Sequence, residues 1–243
     1  MFTKSIPNMC TLGNLFLGMV GIMLALDNKL SLAAIMIIIA MLLDGLDGRV
    51  ARALNAQSEL GKELDSLSDV ISFGVAPALI MYISCFHDMH HALIWTVTAV
   101  FPMCGALRLA RFNVQSGSPG YFIGLPIPAA GGVLATLSLF RDDISAPYMI
   151  IAMLLLSYLM VSTVRYPNFK KIGFPKKAMM YAPFVILAAV AVAVTFPDQL
   201  SKLIFLPLVL YAAYGVKENM RRLSRRRRRH REQSDKVFND HSS

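Results

Sequence analysis

The chain has 243 residues, 56% of them hydrophobic and only 16% charged, with a formal net charge of +9. An ordinary soluble domain carries roughly 25% charged residues, so the composition argues against a water-soluble protein and for a membrane protein, and the apolar spans below make the expected class an all-α integral membrane bundle. Cys10, Cys85 and Cys104 are scattered inside apolar runs without paired spacing, which argues for small buried hydrophobes rather than a disulfide framework or a zinc site.

Apolar windows of about 20 residues, the length that crosses a bilayer, fall near 9–26, 30–52, 66–86, 91–112, 126–140, 147–165, 179–196 and 200–218. The fifth is short and opens on Pro126 and Pro128; without it the bundle has seven spans instead of eight. The opening run, MFTKSIPNMCTLGNLFLGMVGIMLALDN, has no small-residue cleavage site behind it and reads as the first span rather than a removable leader. Residues 1–218 are thus expected to form one transmembrane domain and 219–243 a basic cytoplasmic tail. With eight spans and the N-terminus in the cytoplasm, 21 of the 24 basic residues fall on the cytoplasmic side, leaving Lys29, Arg141 and Lys202 on the other. That asymmetry follows the positive-inside rule and predicts both termini in the cytoplasm.

Between the second and third runs, residues 44–69 read DGLDGRVARALNAQSELGKELDSLSD. An aspartate at the centre of a spanning helix costs roughly 2.5–3.5 kcal/mol, and less near the interface, so four at the edges of two spans need a partner or a purpose. Asp44 and Asp47 are i,i+3 neighbours on one helix face, and Asp65 and Asp69 are i,i+4 neighbours on the next. The short segment 53–64 predicts an antiparallel pair, so the four carboxylates converge on one pocket at the cytoplasmic face. Hard divalent cations, which prefer oxygen ligands, relieve the repulsion in such a cluster. Gly48 and Ala51 share the face of Asp44 and leave room for a ligand to approach the backbone, while Arg52 supplies a planar fork for phosphate oxygens. In the connecting turn, Gly61 suits a tight bend and Ser58 a hydrogen bond. A metal-bridged diphosphate satisfies all of these residues together. Simple pairing of the aspartates with Arg49, Arg52 and Lys62 explains any one of them, but not four in facing helical pairs. Carboxylates in a membrane also mark cation pathways, yet a divalent cation transporter wants its ligands near the midplane, whereas these lie toward one face.

The pattern D-x2-D-G-x2-A-R-x8-G-x3-D-x3-D, filled by Asp44, Asp47, Gly48, Ala51, Arg52, Gly61, Asp65 and Asp69, resembles the signature of the CDP-alcohol phosphotransferase family. The resemblance implies a membrane-embedded bundle with a six-helix core and two further helices, usually a homodimer, in the cell inner membrane or its equivalent, with the active site facing the cytoplasm. It implies transfer of a phosphoryl-linked group from a CDP-linked donor to an alcohol, with release of CMP. By the same resemblance, Asp44, Asp47, Asp65 and Asp69 are ligands of two divalent metals, Mg2+ or Mn2+, and Asp69 is also the general base. From spacing alone Asp65 is equally eligible as the base. Gly48, Ala51, Arg52, Ser58 and Gly61 fall to the CDP part.

Three further stretches, PNMCTLGNLFLGM at 7–19, LRLARFNV at 107–114 and YFIGLPIPAAGG at 121–132, resemble the phosphatidylserine synthase branch of that family. This implies CDP-diacylglycerol as donor and L-serine as acceptor; glycerol 3-phosphate and inositol are the alternatives within the family. The carboxylate of serine calls for a cation near the membrane surface, so Arg108 and Arg111, with Asn113 as an amide partner, are candidates; the other reading is that the two arginines anchor a helix end at the headgroups. Asn8, Thr11 and Asn14 form a polar stripe that either faces the nucleotide or serves capping and interhelical hydrogen bonds. Gly124, Pro126 and Pro128 either shape the entry to span five beside the site or form a plain loop. The tail RRLSRRRRRHREQ, 221–233, is read as a partner of anionic lipid and a topology signal rather than of nucleic acid. His87, His90 and His91 are read as a solvated loop on the side away from the aspartates.

Overall fold

A computed structural model describes residues 2–53, 56–87, 89, 91–114, 121–167, 205–214 and 217. Four helices, α1 (Phe2–Leu26), α2 (Leu30–Ala53), α3 (Glu59–Phe86) and α4 (His91–Val114), are long and apolar enough to cross a membrane. They match the first four expected spans. Three shorter apolar helices, α5 (Ile127–Leu137), α6 (Ala146–Val161) and α7 (Phe205–Tyr214), coincide with the fifth, the sixth and part of the eighth. The expected seventh span, 179–196, and the basic tail, 219–243, lie outside the described residues.

Helices α1 and α2 form an antiparallel pair joined by a tight turn. Asn28 takes a left-handed conformation (φ 61°), which asparagine tolerates better than most residues. The turn closes α1 through N–H donations from Asn28 to the Ala25 carbonyl (2.9 Å) and from Lys29 to the Leu24 carbonyl (2.8 Å).

Helix α3 is the hub. Its regular turns are interrupted by two wider π-helical stretches, Val70–Val75 and Tyr82–Phe86. The first carries Ser72, Phe73 and Gly74, all buried, against three neighbours. A Cβ added at Gly18 of α1 would lie 2.7 Å from Ser72 Oγ, one at Gly74 would lie 3.3 Å from Pro102 of α4, and one at Gly131 of α5 would overlap the Phe73 carbonyl. In a bilayer the helices gain little from hiding apolar surface from lipid, so close backbone approach at small residues supplies the attraction. Ala33, Ile37, Phe73, Ile80, Phe101, Leu134 and Met153 are fully buried in the core that results.

One feature departs from the all-helical expectation. Strands β1 (Tyr121–Ile123) and β2 (Arg165–Pro167) pair antiparallel, with Phe122 opposite Tyr166. Three-residue strands carry too little alternation to be seen in a sequence. The ribbon is pinned by Gly124, whose φ of +78° disfavours other residues and whose N–H donates to the Val164 carbonyl at 2.8 Å. Pro126 then caps the start of α5. Gly124 and Pro126 thus stand in the short loop that leads into α5, and Pro128 lies in its first turn.

Candidate active site

The C-terminal end of α2, the N-terminal end of α3 and the N-terminal turns of α1 meet at one end of the bundle, and the aspartates gather there. Asp44, Asp47 and Asp65 each offer a carboxylate oxygen within 4.8 Å of the other two. Asp69, one turn along α3 from Asp65, is 6% exposed and within hydrogen-bonding reach of Asp44. Its Oδ1 has no hydrogen-bond partner. Asp47, equally buried, accepts a hydrogen bond on Oδ2 from the Thr11 hydroxyl (3.2 Å) and on Oδ1 from the Gly48 N–H. A buried set of like-charged oxygens with an orphan acceptor is costly unless a cation joins it, and oxygen-only donors suit hard divalent ions such as Mg2+ or Mn2+. The residues present fit such ions.

Around the carboxylates stands a rim of small and polar groups. Ser58, in extended conformation, caps α3 by accepting the Gly61 N–H on its hydroxyl at 3.1 Å. A Cβ at Gly61 would lie 3.1 Å from both Ser58 Oγ and Asn8 Oδ1, so Asn8 of α1 and the start of α3 meet at this glycine. Arg52 is exposed, and its Nη1 lies 3.5 Å from where a Cβ of Gly48 would stand. Ala51 is half-buried, and its carbonyl accepts the Ala56 N–H at 2.9 Å. A helix start with its free N–H groups and positive dipole end is a natural seat for phosphate. Ser68 and Ser72, which the sequence reading did not single out, donate to the carbonyls of Thr11 and Asn14, each at 3.0 Å, and bind α3 to α1. Their signal was their position on the aspartate face of α3. Asn14 is fully buried.

The three acceptor candidates separate. Arg108 is 7% exposed and faces the cluster, where its charge acts on Asp69 and Asp44. Its guanidinium carbon lies 5.6 Å from the ring centre of Phe112 and 5.9 Å from that of Phe122, and Nε has no hydrogen-bond partner among the described residues. Arg111 turns away: Nη1 donates to the Val161 carbonyl at 2.9 Å, a cation set at the C-terminal end of α6. Asn113 donates to Ser66 Oγ at 2.8 Å and ties α4 to α3.

Sequence reasoning missed the aromatic groups beside Arg108. The Tyr211 phenol of α7 lies close enough to feel its charge. The rings of Tyr211 and Tyr166 are 5.7 Å apart. Tyr166, fully buried on the ribbon, donates to the Ala212 carbonyl at 3.5 Å. Burial first, and the Tyr211 phenol second, push the Tyr166 hydroxyl up to about 12. No periodicity links residues 122, 166 and 211, so only the fold brings them together. Far from this end, His87 sits in an exposed turn, while His90 and the side chain of His91 lie outside the described residues. The three cysteines are free and half-buried.

Residues 4–215 match the family described as CDP-alcohol phosphatidyltransferase. Over 220 residues the chain is 39% identical to a CDP-diacylglycerol–serine O-phosphatidyltransferase of Helicobacter pylori, covering 86% of this chain and 89% of the relative. It is 40% identical over 166 residues to the Bacillus subtilis protein of the same name, covering 68% of this chain and 92% of the relative. An archaetidylserine synthase of Methanothermobacter thermautotrophicus is 40% identical over 173 residues, with 70% and 72% covered. With the signature carboxylates gathered at one end of a helical bundle and the match running over most of its length, the chain belongs to the CDP-alcohol phosphatidyltransferase family.

Proposed function

We propose that the protein transfers the phosphatidyl group of CDP-diacylglycerol to the hydroxyl of L-serine and releases CMP. The observation that supports serine over the uncharged inositol is Arg108, a buried cation beside the carboxylate cluster. An acceptor that brings its own carboxylate meets a counter-charge there. The names of the relatives in Helicobacter pylori and Bacillus subtilis support the same choice.

In this reading Asp44, Asp47, Asp65 and Asp69 hold two divalent ions, Mg2+ or Mn2+, which when bound supply charge neutralisation for the diphosphate and for the attacking and leaving oxygens. Asn8, Thr11, Gly48, Ala51, Arg52, Ser58 and Gly61 receive the CDP portion. Arg52 offers its fork to phosphate oxygens, and the capped start of α3 offers backbone N–H groups. Asp69 accepts the proton of the serine hydroxyl as that oxygen bonds to the phosphorus carrying the diacylglycerol. The bond from that phosphorus to the CMP oxygen breaks, leaving a phosphodiester and free CMP. The site end faces the cytoplasm, where both substrates' polar parts are met.

The test is acceptor choice. Purified protein in detergent, given CDP-diacylglycerol and Mg2+ or Mn2+, is followed for CMP release with L-serine, glycerol 3-phosphate or inositol added separately. Release that depends on serine alone is the expected result. Release with another alcohol keeps the carboxylate chemistry and overturns the acceptor.

A further inference from the structure

We propose that Tyr211 is a specificity-determining residue: its phenol joins the Arg108 guanidinium in binding the acceptor's carboxylate, inside an aromatic box built by the Phe122–Tyr166 cross-strand pair. This deepens the proposed function and rests on serine as the acceptor.

The argument starts from Arg108. Arginine carries donors only, and at 7% exposure its Nε finds no acceptor among the described residues. A buried guanidinium with an unpaired Nε among the described residues suits a planar anion, and a carboxylate fits its fork with two parallel hydrogen bonds. The ring of Tyr211 packs on Tyr166, the cross-strand partner of the Phe122 that lies against this guanidinium, and a phenol O–H is a second kind of donor.

The ribbon fixes the two relative to each other. Phe122 and Tyr166 are directly opposed in the antiparallel pair, so their side chains share a face. The Phe122 ring lies against Arg108 (5.9 Å), the Tyr166 ring lies against Tyr211 (5.7 Å), and the Tyr166 hydroxyl anchors on the carbonyl of Ala212 (3.5 Å). One cross-strand pair thus spans the gap between α4 and α7. Aromatic surroundings of low dielectric strengthen the interaction of a charge with its counter-charge. A site built this way rejects an acceptor lacking the carboxylate, because its buried donors are then left unpaired.

The experiment compares the full-length protein with Tyr211→Phe, using CDP-diacylglycerol and Mg2+ with either L-serine or L-serinamide, whose carboxylate is replaced by a neutral amide. The substitution is expected to raise KM for L-serine about tenfold, the loss of one hydrogen bond to a charged group, and to shrink the preference for serine over serinamide by a similar factor. KM for CDP-diacylglycerol and kcat at saturating serine stay within about twofold of the parent. An unchanged serine KM and preference, or a rise in KM for CDP-diacylglycerol instead, overturns the proposal. Should Tyr211→Phe not fold, inhibition of the parent protein decides: 3-hydroxypropionate, with the carboxylate but no amine, is expected to compete with serine better than ethanolamine, and the reverse order sinks the idea. If the parent protein shows no serine-dependent CMP release, the acceptor reading itself has failed. Serine-dependent release with Tyr211→Phe unaltered removes this inference alone.

Discussion

The two sides of the site are built on different scales. The carboxylate side comes from residues 44–69, a single uninterrupted stretch across the junction of α2 and α3. The opposite side is gathered from Arg108, Phe122, Tyr166 and Tyr211, in four segments spread over a hundred residues. Helix pitch aligns each pair on its own helix and one short connection joins the two helices, so the first set rests on local structure. The second set depends on a three-residue ribbon and on the docking of α7, so it is free to vary without disturbing the phosphoryl chemistry.

The sharpest way to break the comparison is on the carboxylate side. Asp69→Asn is expected to lower kcat by about 10²- to 10⁴-fold, the range for losing a general base, with Tm in the absence of divalent metal unchanged or raised, because one buried like charge is gone. If Asp69→Asn kept full turnover while Asp65→Asn lost it, the base would be Asp65.

A smaller effect is expected from the ribbon. Gly124→Ala forces a side chain into φ +78° and against the Met160 carbonyl, at a cost of roughly 1–3 kcal/mol in backbone strain. The expected result is a lower Tm and a serine KM raised about tenfold by misplacement of the box, with little change in KM for CDP-diacylglycerol. Equal damage to both KM values would mean that the two sides are not separable.

The smallest effect belongs to Arg111→Gln. Removing a cation from the end of α6 is expected to cost about 0.3–1 kcal/mol of stability, read in Tm, with serine KM unaltered. A clear rise in serine KM would return Arg111 to the acceptor pocket.

The sequence made the carboxylate side legible because i,i+3 and i,i+4 spacing survives folding unchanged, and the structure brings Asp44, Asp47 and Asp65 together as that spacing requires. Ser58 was read as a hydrogen-bonding residue and Gly61 as a bend; Ser58 instead accepts as the cap of α3, and Gly61 lies in its first helical turn, where its N–H is the one capped. Arg108 and Arg111 looked interchangeable because three residues of helix separate them by only a fraction of a turn. Their fates diverge because the carboxyl end of α6 lies within reach of one and the aspartates lie beside the other. The ribbon was illegible because three residues per strand are too few to show a period. The π-helical stretches of α3 were hidden because an extra residue in a turn leaves no mark on an already continuous apolar run.

Those wide turns have a further consequence. Gly18, Gly74 and Gly131 grip Ser72, Phe73 and Pro102 so closely that an added methyl group would crowd each contact, and shear between helices needs slack of about that size. The waist of the bundle therefore behaves as a fixed pivot. Any rearrangement of the bundle is expected at the helix ends, away from these three contacts.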